Sequence, residues 1–243
     1  MNVQMEFISE SELADESFSI VIDGLKPRET YRVEMFLSDY YCINAPMLLA
    51  HDGLWKSTAT FVSDKNGIID MSQTPSCSGS YEGISTMGLF FNAKPLTNKR
   101  KKLPNSLSEI PLLDHFFVDI KIMQGNTVIA ERTFTRHYMS SQISHKDIYG
   151  KYFQGRLFYD KKAIKTPALI IVSGSEGRIE KAQNIAQLLS SRGYICLAVA
   201  YFGLERLPNY LERIPLECLV EAKDYLRQHP QVDSEKNWNL WTV

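Results

Sequence analysis

The apolar residues of this chain keep one rhythm up to about residue 139 and another from about residue 150 onward. In the first stretch they alternate with polar neighbours, the period-2 pattern of strands that bury one face. Phe18, Ile20 and Ile22 alternate in this way and stop at Asp23-Gly24. Tyr31, Val33, Met35 and Leu37 alternate with Arg32, Glu34 and Phe36, and Trp55, Ser57, Ala59 and Phe61 share one face of a further strand. That strand runs into Asp64-Lys65-Asn66-Gly67, a strong turn signal. Val118, Ile120 and Ile122 face one way and Asp119 and Lys121 the other, before Gln124-Gly125-Asn126 turns the chain into Thr127–Thr135. Several short strands without an intervening helix predict an all-β, immunoglobulin-like sandwich over residues 1–139.

The second stretch predicts a parallel α/β sheet. Gly155–Tyr159 reads as a short strand, and Ala168–Ser173 as a strand buried on both faces. Gly174-Ser175-Glu176-Gly177 follows, then a helix with Ile179, Ala182, Ala186 and Leu189 at helical spacing and Gly193 at its C-terminal cap. Tyr194–Val199 is a second buried strand. Pro215 opens another helix, with Leu216, Leu219, Val220 and Leu226 on one side, ending near His229-Pro230. Strand, helix, strand, helix at this spacing predicts right-handed crossovers over residues 154–243. Residues 140–153 read as the linker, and no internal repeat or low-complexity tract is present.

A chain of 243 residues suffices for one large domain or two modest ones. Its net charge of −1 creates no global field toward nucleic acid or an acidic membrane. The N-terminus, MNVQMEFISESELADESF, lacks the basic start and apolar core of a signal peptide. No apolar stretch approaches the roughly 20 residues of a bilayer span. Cys42, Cys77, Cys196 and Cys218 lie far apart, with no CxxC pair and no His at metal-ligand spacing. They are expected as buried thiols of a cytoplasmic protein, with no metal and no cofactor.

Particular residues then carry a resemblance. Asp52-Gly53-Leu54-Trp55 with Ser57, Ala59 and Phe61, then Gly67-Ile68-Ile69-Asp70, Gly79-Ser80-Tyr81-Glu82-Gly83 and Met87-Gly88-Leu89 come first. Glu131-Arg132 and Arg136-His137-Tyr138-Met139 follow, and beyond them Gly155-Arg156-Leu157-Phe158, the Gly174–Gly177 loop, Ala200-Tyr201-Phe202-Gly203 and Leu207-Pro208. As an ordered set from about residue 15 to about 235 these resemble the acyl-CoA thioesterase/bile acid-CoA:amino acid N-acyltransferase family. The resemblance implies a truncated α/β-hydrolase domain after the sandwich, and cleavage or transfer of acyl groups from coenzyme A thioesters. Its chemistry uses a Ser or Cys nucleophile, an acid and a His in that order, with the nucleophile on a G-x-S/C-x-G turn.

No G-x-S-x-G or G-x-C-x-G occurs in the chain. Where the nucleophile strand is expected, after Val232-Asp233-Ser234-Glu235-Lys236, the sequence reads Asn237-Trp238-Asn239-Leu240-Trp241-Thr242-Val243. Trp has one codon, so the frame there is nearly fixed. With compatible codons, one deleted A in the Lys236–Asn237 codons reads Lys-Ile-Gly-Ile-Tyr-Gly-Arg, the strand and opening of such a turn. The expectation is a frameshifted enzyme without its nucleophile, acid and histidine, and so without turnover. It further includes an open apolar edge at the Tyr194–Val199 strand or its neighbour. A non-catalytic protein that binds through its sandwich is the alternative, and another esterase activity a third.

The surviving candidates are Gly174, Ser175, Glu176 and Gly177, in the loop after the Ala168–Ser173 strand, where such folds place one oxyanion-hole N–H. Ser175 and Glu176 would act through backbone amides; a plain glycine-rich strand-to-helix turn reads the same way. The spacing lacks the G-x-G-x-x-G of a dinucleotide site. His137 reads as a structural residue at the end of the sandwich, and His51, His115, His145 and His229 as surface or capping residues. Asn98-Lys99-Arg100-Lys101-Lys102 is a solvated loop before it is a coenzyme A phosphate contact. Trp55 and Tyr81 read as core or domain contacts. Acyl-chain preference, acceptor and oligomeric state are not encoded in these motifs.

Overall fold

The structure is a computed structural model that describes residues 2–42, 53–175, 177–233, 235 and 239–242. Asp52, His51, Glu176 and residues 236–238 lie outside the described residues. Strands β1 (Gln4–Ser9), β2 (Phe18–Asp23), β3 (Thr30–Ser38) and β4 (Trp55–Val62) open the chain. Short strands β5 (Ile69–Asp70) and β6 (Ser78–Gly79), one helical turn, α1 (Gly88–Phe91), and β7 (Lys94–Pro95) follow. β8 (His115–Gln124) and β9 (Thr127–His137) form a long hairpin. Then come β10 (Ile143–Tyr149), β11 (Gln154–Asp160), β12 (Ala168–Val172), α2 (Glu180–Ser191), β13 (Ile195–Ala200), α3 (Glu217–Arg227) and β14 (Asn239–Thr242). The chain is β-rich, and it forms two compact units.

The first unit comprises Met1–Lys101 and His115–His137. It holds an antiparallel sheet β1-β2-β5 and a larger one in the order β6-β4-β3-β8-β9, with β7 also paired to β4. The alternation read from the sequence is the burial seen here. Tyr31, Val33, Met35 and Leu37 are buried, and so are their cross-strand partners Phe61, Ala59, Ser57 and Trp55. On the other side of β3, Ile122, Ile120 and Val118 stand opposite Val33, Met35 and Leu37. One face is therefore a continuous apolar ladder, each large side chain contributing roughly 1.5–3 kcal/mol by leaving water. At the turn after β4, Asp64 Oδ1 accepts from the N–H groups of Asn66 and Ile68, both at 2.8 Å. The Ile68 bond first, with those of Asn66 and Gly67, holds the Asp64 carboxyl below its ordinary range.

The second unit comprises Lys102–Asp114 and Tyr138–Val243. Its sheet runs β10-β11-β13-β12-β14. β12 is parallel to β13 and β14, whereas β11 is antiparallel to both β10 and β13. The strands bury both faces: Phe158, Leu169, Ile171, Cys196 and Ala198 pack with α2, and Leu157, Ile170, Val172, Leu197 and Val199 with α3. Residues 140–153, expected as a linker, contain β10 instead, because Ile143–Tyr149 pairs along the whole of β11. The open edge expected at Tyr194–Val199 is not there. β13 is enclosed by β11 and β12, and β12 in turn by β14.

Two more expectations are corrected. On α3 the buried residues are Cys218, Ala222 and Leu226, whereas Leu216 is 75% and Val220 51% exposed. The small side chains at 218 and 222 let the helix backbone approach the sheet. Of the cysteines, Cys196 and Cys218 are buried, but Cys77 is exposed and Cys42 half-buried. Cys77 precedes the two-residue strand β6, and nothing covers it there among the described residues.

Candidate functional site

Three parallel strands, β13, β12 and β14, end on one side of the sheet, and open parallel sheets bind ligands outside such carboxyl ends. The chain leaves β12 at Ser173, which is buried and whose Oγ accepts from the Ala182 N–H at 3.3 Å inside α2. The Tyr201 hydroxyl, just past β13, points at the carbonyls of Ser173 (3.0 Å) and Gly174 (2.8 Å). The Gly174 carbonyl also accepts from the Gly177 N–H at 3.1 Å. A trans peptide directs its N–H opposite to its C=O, so the Ser175 N–H points away from Tyr201. Ser175 is exposed and Gly174 half-buried.

Gly177 is required where it stands. Its φ is +63°, and a Cβ built there would lie 1.8 Å from the Phe202 ring. Its carbonyl accepts from the Tyr201 N–H at 3.1 Å. Gly174, Ser175 and Gly177 thus come together in one turn between β12 and α2, tied to the end of β13.

Arg178 follows, 7% exposed. Its Nε donates to Glu180 Oε1 at 2.9 Å, its Nη1 to the Gly203 carbonyl at 2.8 Å and its Nη2 to the Pro104 carbonyl at 2.6 Å. Pro104 belongs to the Lys102–Asp114 segment, which lies along α2 as a strap. Leu107 and Ile110 of the strap are buried in the core beneath it. Four more of its carbonyls are engaged. Arg156 Nη2 donates to Leu107 (3.3 Å), Arg156 Nη1 to Ile110 (3.5 Å), Gln183 Nε2 to Pro111 (3.0 Å) and Gln187 Nε2 to Leu113 (2.8 Å). Asp147 and Gln183 take the remaining Arg156 donors at 2.6 and 2.8 Å.

Sequence reasoning gave no role to Tyr201, Arg178 or the strap, although Tyr201 stands in a stretch that carries the resemblance. A usable signal was Glu180, Gln183 and Gln187, polar residues at helical spacing beside the apolar stripe of Ile179, Ala182 and Ala186. The other residues singled out lie elsewhere. His137 pairs with Glu12 at 3.5 Å in the first unit, within 5.9 Å of the His115 ring. Trp55 is buried against Tyr40. Tyr81 covers Gly88, where a Cβ would stand 2.4 Å from the ring, and burial pushes its phenol up to about 12. Lys99, Arg100 and Lys102 are exposed and Lys101 half-buried. Among the described residues no three His, Cys, Asp or Glu side chains are grouped to hold a metal, and no helix is long and apolar enough to cross a membrane.

Fold and turn define a β-rich protein of two units with a glycine-cornered loop at the carboxyl edge of parallel strands. Residues 15–149, more than half of the chain, match the acyl-CoA thioester hydrolase/BAAT N-terminal region. The chain belongs to that family. It is 26% identical over 236 residues to acyl-coenzyme A amino acid N-acyltransferase 2 of Mus musculus, covering 96% of this chain and 53% of that protein. It is 26% identical over 227 residues to the bile acid-CoA:amino acid N-acyltransferase of Mus musculus (91% and 51% covered). With acyl-coenzyme A thioesterase 6 of Mus musculus the identity is 27% over 223 residues (90% and 49%). The chain spans about half the length of these relatives.

Proposed function

We propose that this chain serves acyl-CoA metabolism as part of an acyl-CoA thioester hydrolase or acyltransferase, an immunoglobulin-like sandwich followed by the first strands of an α/β-hydrolase domain. Membership of the acyl-CoA thioester hydrolase/BAAT family carries the reading. A largely parallel sheet with one reversed strand, β11, near its start supports the hydrolase half. Free cysteines, two of them accessible, support a reducing cytoplasmic setting. The substrate class is the acyl-CoA thioester, with water or an amine as acceptor.

In this reading the N–H groups of Ser175 and Glu176 stabilise the oxyanion that develops on the thioester carbonyl. The Ser175 N–H, already aimed away from Tyr201 by its peptide plane, costs no reorganisation when charge appears. The nucleophile belongs on a turn after the strand in the position of β14, with acid and histidine further on. None of the 243 residues forms that G-x-S/C-x-G turn. The chain by itself is therefore proposed to bind acyl-CoA without turning it over.

Calorimetry with an S-alkyl-CoA thioether and thiol-release assays across short to long acyl-CoAs test both halves. Binding without thiol release above the blank is expected. Release above the blank overturns the inactivity, and no binding to any coenzyme A derivative overturns the acyl-CoA reading.

A further inference from the structure

The geometry points to Arg178 as the residue that positions the Gly174–Gly177 loop, a role that rests on the oxyanion reading of that loop. Tyr201 holds the loop through its hydroxyl at Ser173 and Gly174 and through its N–H at Gly177. Those bonds fix the peptide planes that carry the Ser173, Gly174 and Gly177 carbonyls, but they leave the exit into α2 to be set by the next residue. Arg178 is that residue. One buried guanidinium joins the helix start (Glu180), the loop after β13 (Gly203) and the strap (Pro104). The planar fork fixes three directions at once, which an ammonium on a flexible stem does not.

An ion pair buried this deeply is weak grounds for assigning stability, because desolvation offsets much of the attraction. Its distinguishing feature is where it acts. Glu180 neutralises the charge, and the two carbonyl bonds determine where the backbone at 177–178 sits. Displacement of that backbone moves the loop amides relative to a bound carbonyl. It leaves contacts to the rest of a coenzyme A ligand unaltered.

The test uses the 243-residue chain and two probes. One is a 2-oxoalkyl-CoA, which retains a carbonyl one carbon from the sulfur; the other is the matching S-alkyl-CoA without it. Arg178→Lys keeps a charge for Glu180 but not both carbonyl bonds. The double variant R178Q/E180Q leaves no unpaired buried charge. Both are expected to bind the carbonyl probe on the order of 5-fold more weakly, the size of one ordinary hydrogen bond, and the S-alkyl probe as before. Amide hydrogen exchange in peptides covering 174–177 is expected to speed up in both variants, with that of β8 and β9 unchanged.

Equal losses on the two probes overturn the positioning role, as does loop exchange that stays at the wild-type rate. Failure of the unmodified chain to bind either probe counts against the acyl-CoA reading instead. The exchange rates then still decide whether Arg178 anchors the loop.

Discussion

Arginine is ordinarily a surface residue, yet Arg136, Arg156 and Arg178 are 1%, 4% and 7% exposed. Each spends its donors on backbone carbonyls of segments with little ladder of their own. Arg136 donates to the carbonyls of Ser11, Leu13 and Glu16 between β1 and β2, with Phe7 and Phe18 against its face. Burial pulls its proton affinity below the ordinary value, and Asp15, Glu16 and Glu12 oppose that pull. No pattern in a single sequence says which carbonyls an arginine will reach, so these three were illegible. Glycine is different, since Gly174 and Gly177 already marked a strand-to-helix turn. The structure adds the reason at Gly177, a left-handed φ with Phe202 where a side chain would be. Gly177→Ala is expected to cost on the order of 2–4 kcal/mol in denaturant unfolding, from the backbone conformation and overpacking together. A loss under 0.5 kcal/mol would contradict that geometry.

Among the elements, those with a one-faced alternating pattern were the most legible. β2, β3, β4 and β8 bury the residues whose period-2 spacing marked them. β10 was hidden because Ile143-Ser144-His145-Lys146-Asp147-Ile148-Tyr149 has buried residues only at Ile143 and Ile148. An outer strand needs less apolar surface than a central one. α3 was found, and Leu226 and Leu219 of its expected face do pack against the core, but Leu216 and Val220 were misassigned by following the largest apolar side chains. Spacing of Cys218, Ala222 and Leu226 at i, i+4, i+8 is the stripe that packs. Val220→Lys is accordingly expected to change stability by less than about 0.5 kcal/mol, and Leu226→Ala to cost about 2–5 kcal/mol. Thermal or urea unfolding of the two variants side by side checks the face, and the opposite ranking would reverse it.

At the scale of the whole molecule, the two rhythms in the sequence correspond to two compact units, but the chain does not pass from one to the other once. It enters the second unit at Lys102, returns at His115 and leaves again at Tyr138. The sequence hid this because Leu103–Leu113, rich in proline and short of periodicity, looks like any surface loop. A fragment of residues 138–243 lacks the strap and strands donors of Arg156, Arg178, Gln183 and Gln187 in a buried setting. It is expected to aggregate or melt without cooperativity, whereas joining residues 102–114 to it through a flexible linker restores a cooperative transition in calorimetry. A cooperative melt of 138–243 alone would show the strap to be dispensable. The same interleaving sets a timetable during synthesis. The strap leaves the ribosome roughly 70 residues before Gln187, and at roughly 5–20 residues per second its carbonyls wait several seconds for their donors. For that interval an apolar segment carrying Leu107 and Ile110 hangs between strands already able to pair, exposed to chaperones and proteases. A slower stretch of translation just past α2 would lengthen that exposure without changing one residue of the finished protein.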